Sequence, residues 1–524
     1  MSSSRALARA GLIVSGAFLV SRVLGWVRVV VIVNQPNLSA ADLDAFFTAF
    51  RLPDLVFQLV AAGALSSAVI PIVSGLLATD QTARAWRVVS TIANLMLVGL
   101  LGLGVVVLVA APLLMAAIAP GFSPEQLEET VGLTRIMILG PIFLALGSLA
   151  TSVLNAQGRF AASAIAPSVY NIAIIGAAVI LVPALGATGL AIGVVAGSAA
   201  HLLVQIPPLN RLGFRYARRI DLEDDEARAA LRLMAPRALG LGAGQITFVV
   251  VTSLASSLFI GAVTGFNVAF TLLQIPIGVI GVPLGIVVLP SLSREAALAN
   301  LEAFAGLMSR AIRLIVFVMV PITAIGIVLR SEVVRLLFGD ADLGPFALDQ
   351  TATTLAAFLL GLTAHALIAV LARAFYARQD TRTPVAAAIL AVVVNSTLAT
   401  VFVGPFGLPG LGLAIAVAAW LETIVLFVLL KRSLPELAVR PILSLAIRSL
   451  VVAIGGGLAA AGVAAGLGLA LGGDAGREVL IVRIVVVGFV WLLTSAALAL
   501  VLRIGELPAI IALMLDLVRR PRGA

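Results

Sequence analysis

Two arginines, Arg22 and Arg28, interrupt the apolar run GLIVSGAFLVSRVLGWVRVVVIV near the N-terminus. A guanidinium at the middle of a membrane-spanning helix costs about 2.5–3.5 kcal/mol on insertion scales, and groups held at that cost mark substrate or ion pathways unless they are paired. Six residues apart, the two project about 120° from each other and lie about 9 Å apart along the axis. Both can line a wide cavity, whereas both cannot face lipid cheaply. The next run, DAFFTAFRLPDLVFQ (44–58), places Asp44, Arg51 and Gln58 at spacings of seven, with Thr48 beside them. Residues seven apart drift by about 20° per step, so this polar stripe shares one helical face and is expected to meet Arg22 and Arg28. Three guanidiniums against Asp44 leave surplus positive charge in a low-dielectric cleft, which suits an anion. Two plainer arrangements stand beside this one: Arg22 and Arg28 pairing structurally with Asp44 and Asp54, and Arg51 snorkelling to the membrane face. Gly25 and Pro53 are the expected hinges of these two segments.

No other constellation competes for chemistry. The chain has no cysteine and two histidines, His201 and His365, which excludes thiolate sites and a histidine metal cluster. HExxH, GxSxG and Walker sequences are absent, as is a carboxylate pair at helical spacing deep in the membrane. No catalytic residue, metal or cofactor is therefore expected, and the chain does not read as an enzyme. Arg135, Arg237, Arg373 and Glu422 stand alone in apolar surroundings, as the histidines do, and read as structural.

The elements that must position the stripe are membrane spans. Of 524 residues, 61% are hydrophobic and 11% charged, against about 25% charged in a soluble protein. Fourteen apolar runs can be drawn, near 9–33, 44–78, 88–118, 132–154, 161–183, 187–208, 230–256, 264–291, 309–330, 351–377, 384–404, 408–430, 445–471 and 479–502. The first runs on to Val33 without a small-residue cleavage site and reads as a retained helix. Pro276 and Pro283 mark a kink in the eighth. Twenty-three basic residues, Arg84, Arg211 and Arg432 among them, fall in one alternate set of loops and in both tails, against Arg330, Arg335 and Arg477 in the other. The positive-inside rule places both termini in the cytoplasm. The net charge of +9 is thus an orientation signal with anionic lipid headgroups as its neighbours, and not a nucleic-acid surface.

The chain also repeats itself at about 220 residues. YNIAIIGAAVILVPALGATGLAIGVV from Tyr170 matches VNSTLATVFVGPFGLPGLGLAIAV from Val394, pairing Asn171 with Asn395, and SAVIPIVSGLLA around Pro71 matches GIVVLPSLSREAA around Pro290. Six spans per half preserve orientation, so the halves are predicted to be parallel repeats. The expected fold is all-α and polytopic: about 14 transmembrane helices in two parallel six-helix lobes around a central cavity, with two additional C-terminal helices. The lobes are placed at 1–220 and 221–435, and the addition with its cytoplasmic tail at 436–524.

SRVLGWVR (21–28), DAFFTAFRLPDL (44–55), AAGALSSAVIPI (61–72), LNAQGRF (154–160), APSVYNIAIIG (166–176), PIGVIGVPLGIVVLPSLS (276–293) and FYARQDTRTPV (375–385) resemble, in that order, the MurJ (MviN) lipid II flippases of the multidrug/oligosaccharidyl-lipid/polysaccharide exporter superfamily. The resemblance implies a multi-pass protein of the bacterial cytoplasmic membrane, working by alternating access in peptidoglycan and cell-wall biogenesis. Its substrate would be a polyprenyl-pyrophosphate-linked glycopeptide, its surroundings membrane lipid, and its partners cell-wall synthesis proteins. Arg22, Arg28 and Arg51 would bind the pyrophosphate, with Asp44, Thr48 and Gln58 lining the same site. Spans thirteen and fourteen would supply a groove for the prenyl tail. The chain departs from the pattern at Phe57, Gln58 and Ala62, and again at Phe270, Thr271 and Gln274, where relatives commonly carry charge. Three alternatives follow: a flippase for another lipid-linked oligosaccharide, a non-transporting scaffold of cell-wall assembly, or a drug/cation antiporter, which would want an acidic cleft.

Overall fold

The computed structural model describes residues 2–60, 64–471 and 476–508, and their side chains except those of 2–15, 18, 60, 64–68, 231, 233–243 and 471. Two compact units are present, Met1–Asn267 with Asp340–Gly344 and Val268–Gly339 with Pro345–Ala524. The first is built from α1 (Ser2–Val33), α2 (Ala40–Ala49), α3 (Arg51–Val60), α4 (Ala64–Ala78), α5 (Thr82–Ile118), α6 (Pro124–Met137), α7 (Gly140–Ala156), α8 (Phe160–Ile180), α9 (Val182–Leu185), α10 (Ala187–Leu203), α11 (Ile206–Arg211) and α12 (Asp225–Ser256). Helix α13 (Ala262–Pro276) runs across the division into a π turn (Ile277–Gly281). Then come α14 (Val282–Ala297), α15 (Leu301–Val328), α16 (Arg330–Phe338), α17 (Gly344–Leu359), α18 (Leu362–Ala377), α19 (Arg382–Phe406), α20 (Leu408–Ser433), α21 (Val439–Leu471) and α22 (Arg477–Val501).

Ten helical spans among the described residues are long and apolar enough to cross a bilayer, and α17 with α18 makes an eleventh, bent by 43°. The other three expected spans fall on α1, on α2 to α4 and on α12, each of which includes side chains outside the described set. Leu113, Ile180, Val287, Leu458 and Val501 are each more than two-thirds exposed, as lipid-facing side chains must be. No strand occurs among the described residues. The protein is all-α and multi-pass.

Prolines and left-handed residues decide where these helices break. Pro53 has no N–H to bond the carbonyl of Ala49, and the chain breaks there, with Phe50 between α2 and α3. The freed Ala49 carbonyl accepts from Thr134 Oγ1 at 3.4 Å, the kind of repair that a broken helix needs inside a membrane. Pro276 and Pro283 flank the π turn within the eighth span.

The internal repeat is written into the backbone. Gly186 (φ 56°, ψ −143°) and Gly407 (φ 59°, ψ −138°) cap the helices that carry the two GLAI segments. Gly158 (φ 66°) and Gln379 (φ 62°) end α7 and α18 in the same left-handed turn. In one, Arg159 N–H donates to Leu154 O at 2.8 Å; in the other, Asp380 N–H donates to Phe375 O at 3.0 Å. Asp80 (φ 58°) and Ala299 (φ 53°) do likewise after the helices that carry Pro71 and Pro290. Non-glycine residues enter this region at a cost of about 1–2 kcal/mol. The Asp80/Ala299 pair, non-glycine in both halves, therefore argues for a repeated backbone at an offset of about 220 residues more firmly than shared small-residue composition does.

Between α11 and α12 the chain forms a strap along α5. Asn94 Nδ2 donates to the carbonyls of Ala217 (2.9 Å) and Arg219 (3.1 Å), and Tyr216 OH donates to Asn94 Oδ1. Ala217 N–H donates to Ser90 Oγ and Asp221 N–H to Thr91 Oγ1, both at 3.1 Å. Phe214 meets Trp86 edge-on at 5.5 Å, and Arg84 pairs with Asp224 at 2.8 Å. That pair, with further bonds from the N–H groups of Glu226 and Ala227, holds the Asp224 carboxyl below the usual carboxylate range. A depressed carboxylate contributes stability above the unfolded-state value and loses it as pH falls through the folded one. Acidification through that lowered value will therefore reduce hydrogen-exchange protection in 212–224, and Asp224→Asn will show the same loss at neutral pH. Equal protection in the variant and the parent would remove Asp224 as an anchor.

Candidate functional site

Asp44 sits on α2, 2% exposed, at the turn between α12 and α13. Gly261, at φ 95°, presents its N–H to Asp44 Oδ2 at 2.7 Å, while the N–H and hydroxyl of Thr264 both donate to Oδ1 at 2.7 Å. This is an N-cap supplied from a distant helix. Donor N–H groups at the first turn of α13 have no partner within their own helix, and a carboxylate there also complements the helix dipole.

Arg51 begins α3 and turns toward α12 and α13. Its Nε donates to Thr252 Oγ1 at 2.9 Å and its Nη2 to Asn267 Oδ1 at 2.8 Å, and the guanidinium lies 5.3 Å from the Phe248 ring centre. Asp54 interacts with Arg51 electrostatically and is hydrogen-bonded by Gln58. Thr48 Oγ1 is enclosed, with no hydrogen-bond partner among the described residues. The break at Phe50 thus divides the expected polar stripe: Asp44 closes the start of α13, Arg51 reaches α12 and α13, and Gln58 serves Asp54.

Arg28 lies over the Tyr170 ring on α8, 5.6 Å from its centre, and hydrogen-bonds that side chain. Arg22 is exposed and lines a cavity of about 270 Å³ with Ser21, Thr151, Asn155, Phe160, Ser163, Ala164 and Pro167. α1 runs unbroken through Gly25, where it packs on α8, and Asn171 Nδ2 donates to Ser21 O at 3.3 Å. The three arginines therefore occupy three different surroundings within one unit: a ring face, a polar pair and an open cavity. The partners that sequence reasoning missed are Tyr170, Phe248, Thr252, Thr264 and Asn267. Thr264 and Asn267 are isolated polar residues in apolar runs, which was the available signal, and Thr252 opens a short polar stretch with Ser253.

At the departures from the familiar pattern, apolar packing takes over. Phe57 packs on the apolar core of the first unit. Phe270 meets Phe358 edge-on at 5.7 Å, and Gln274 is exposed. Ala62 and the Arg237 side chain lie outside the described residues. No group of three or more histidine or acidic side chains that could hold a metal occurs among the described residues.

Fold comparison defines the class first. A solved structure described as "Lipid II flippase MurJ, inward closed conformation" superposes with a TM-score of 0.77 over 93% of this chain and 99% of its own, at 22% identity. An inward-facing MATE-family multidrug transporter of the MOP superfamily gives 0.67 over 79% and 95%, at 17% identity. The fold is that of this transporter class. The family model described as "Lipid II flippase MurJ" matches residues 39–467. A probable lipid II flippase MurJ of Vibrio cholerae is 32% identical over 435 residues, 81% of this chain and 83% of that one. A lipid II flippase MurJ of Burkholderia cenocepacia is 32% identical over 436 residues, 81% and 84% of the two chains. The chain belongs to the MurJ family, a family of transporters rather than enzymes.

Proposed function

We propose that this protein moves lipid II, an undecaprenyl-pyrophosphate-linked peptidoglycan precursor, across the bacterial cytoplasmic membrane by alternating access. The observation that carries the reading is identity of 32% along four-fifths of the chain to proteins named for that activity. Arg22, Arg28 and Arg51 serve as the pyrophosphate-binding cations, with Asp44, Thr48 and Gln58 shaping the site and Gly25 and Pro53 letting the first two spans bend. Both termini face the cytoplasm, and lobes at 1–220 and 221–435 carry the cycle, with 436–524 appended. Support for the arginine roles is the placement of two of them: Arg28 lies over the Tyr170 ring, where a guanidinium keeps donors at its edge for a phosphate, and Arg22 lines an open cavity. Rescue of a strain depleted of its own lipid II flippase, together with flipping in vesicles containing only this protein, tests the reading. Failure of both in well-folded protein would overturn it. A second reading, a non-transporting scaffold for cell-wall synthesis proteins, is favoured by the Phe270–Phe358 contact, an apolar pair at a position where the sequence resemblance implies charge. Flipping by the wild-type chain excludes it.

A further inference from the structure

The second unit contains a cationic cavity that the transport reading does not use. It lies where three span ends meet: the fourth turn of α15, the first turns of α21 and the residues just after α22. Its volume is about 210 Å³, and its lining includes Arg313, Ser444, Arg448, Arg503, Gly505 and Glu506. Arg313 and Glu506 form an ion pair. Arg313 Nε and Glu506 Oε2 are nonetheless enclosed, with no hydrogen-bond partner among the described residues. Arg448 Nη1 reaches the carbonyl of Leu502 at 3.4 Å, and both Arg448 and Arg503 are exposed at the rim. One carboxylate against three guanidiniums leaves two positive charges uncompensated in the lining.

Arg503 is held there against its backbone preference. It ends α22 at φ 51°, and the turn closes with Ile504 N–H donating to Ala499 O at 2.9 Å. Glycine is the favoured residue at such a position, and an arginine there adopts a conformation costing about 1–2 kcal/mol. Beneath the charged rim lies an apolar floor, in which Leu445 and Ile504 pack with Phe317, Val452 and Ala499. Positive charge above an apolar floor at the ends of spans is the arrangement that receives a lipid headgroup at the membrane surface.

We infer that this cavity binds the phosphate of an anionic membrane phospholipid, gripped by Arg448 and Arg503 and framed by the Arg313–Glu506 pair. The inference is independent of what the chain transports. Full-length protein in neutral detergent is titrated with phosphatidylglycerol, with phosphatidylcholine or with inorganic phosphate, and thermal unfolding is followed. Phosphatidylglycerol is expected to stabilise the wild type more than phosphatidylcholine does. The Arg448→Gln/Arg503→Gln double variant should bind it about tenfold more weakly, since charge-assisted contacts are lost. Arg448→Lys/Arg503→Lys, which keeps the charge, should retain part of the affinity and guards against misfolding of the glutamine variant. Arg503→Gly separates a ligand role from a structural one: it relaxes the turn, so the ligand-free protein should melt higher while its phosphatidylglycerol response falls. Equal shifts from inorganic phosphate, competing with the lipid, would keep the phosphate site and assign it to a soluble anion. Equal responses to phosphatidylglycerol and phosphatidylcholine, or an unchanged response in the double variant and in Arg503→Gly, would overturn the inference.

Discussion

Asp44→Asn is expected to lower the melting temperature and to cut transport, although it keeps the shape of the side chain. The carboxylate takes three bonds, from Gly261 and Thr264, all at 2.7 Å. An asparagine offers one oxygen, and its amide N–H₂ confronts a backbone N–H where an acceptor is required. Each buried donor left without a partner costs about 1–3 kcal/mol, and the charge that complements the α13 terminus is lost as well. Asp44→Ala removes every acceptor and should be worse. Thr264→Ala, which deletes one of the three donors and leaves both backbone bonds, should be the mildest. The order of melting temperatures across these three variants is the check. An Asp44→Asn protein that melts and transports as the wild type does would show that the distal cap is dispensable.

Arg28→Ala should reduce flipping about ten- to hundredfold at unchanged folded-protein level, because hydrogen bonds to a charged group contribute about 1.5–3 kcal/mol. Arg28→Lys should recover a part, since an ammonium supplies charge without the fork. Tyr170→Leu offers a further comparison: it removes the ring that lies under Arg28 while leaving the guanidinium in place, so its deficit should be smaller than that of Arg28→Ala. If Arg28 were instead a packing element, the alanine and leucine variants would be lost from the membrane together. Normal flipping per folded molecule in Arg28→Ala would end the pyrophosphate assignment for this residue.

How far the sequence discloses this architecture varies from place to place. Span positions were legible because a membrane imposes long apolar runs, and the repeat was legible because GLAI recurs beside Asn171 and Asn395. The weaker match around Pro71 and Pro290 gained its meaning from the matched turns at Asp80 and Ala299, since left-handed conformations at non-glycine residues leave no mark in composition. The types of the candidate residues could be read, and their partners could not. Spacing by seven put Asp44, Arg51 and Gln58 on one helical face, yet Pro53 breaks the helix between the first two, and each then answers to a different neighbour. Contacts such as Arg51 with Thr252 and Asn267 join residues more than 200 positions apart. No periodicity within a segment can reveal those. Arg503 and Glu506 likewise follow the last span, and the rest of their cavity comes from α15 and α21, far away in sequence.

The strap along α5 bears on any attempt to divide the chain. A cut after residue 220 would fall inside it, and sequence symmetry invites a cut at that point. Yet Ala217 and Arg219 before the cut, and Asp221 and Asp224 after it, are all fastened to the same helix through Asn94, Thr91 and Arg84. Severed ends would stay side by side on α5 without the peptide bond between them. Two fragments made separately would thus carry a ready-made splint for recombination, with the first fragment holding the template on which the leading edge of the second is laid down.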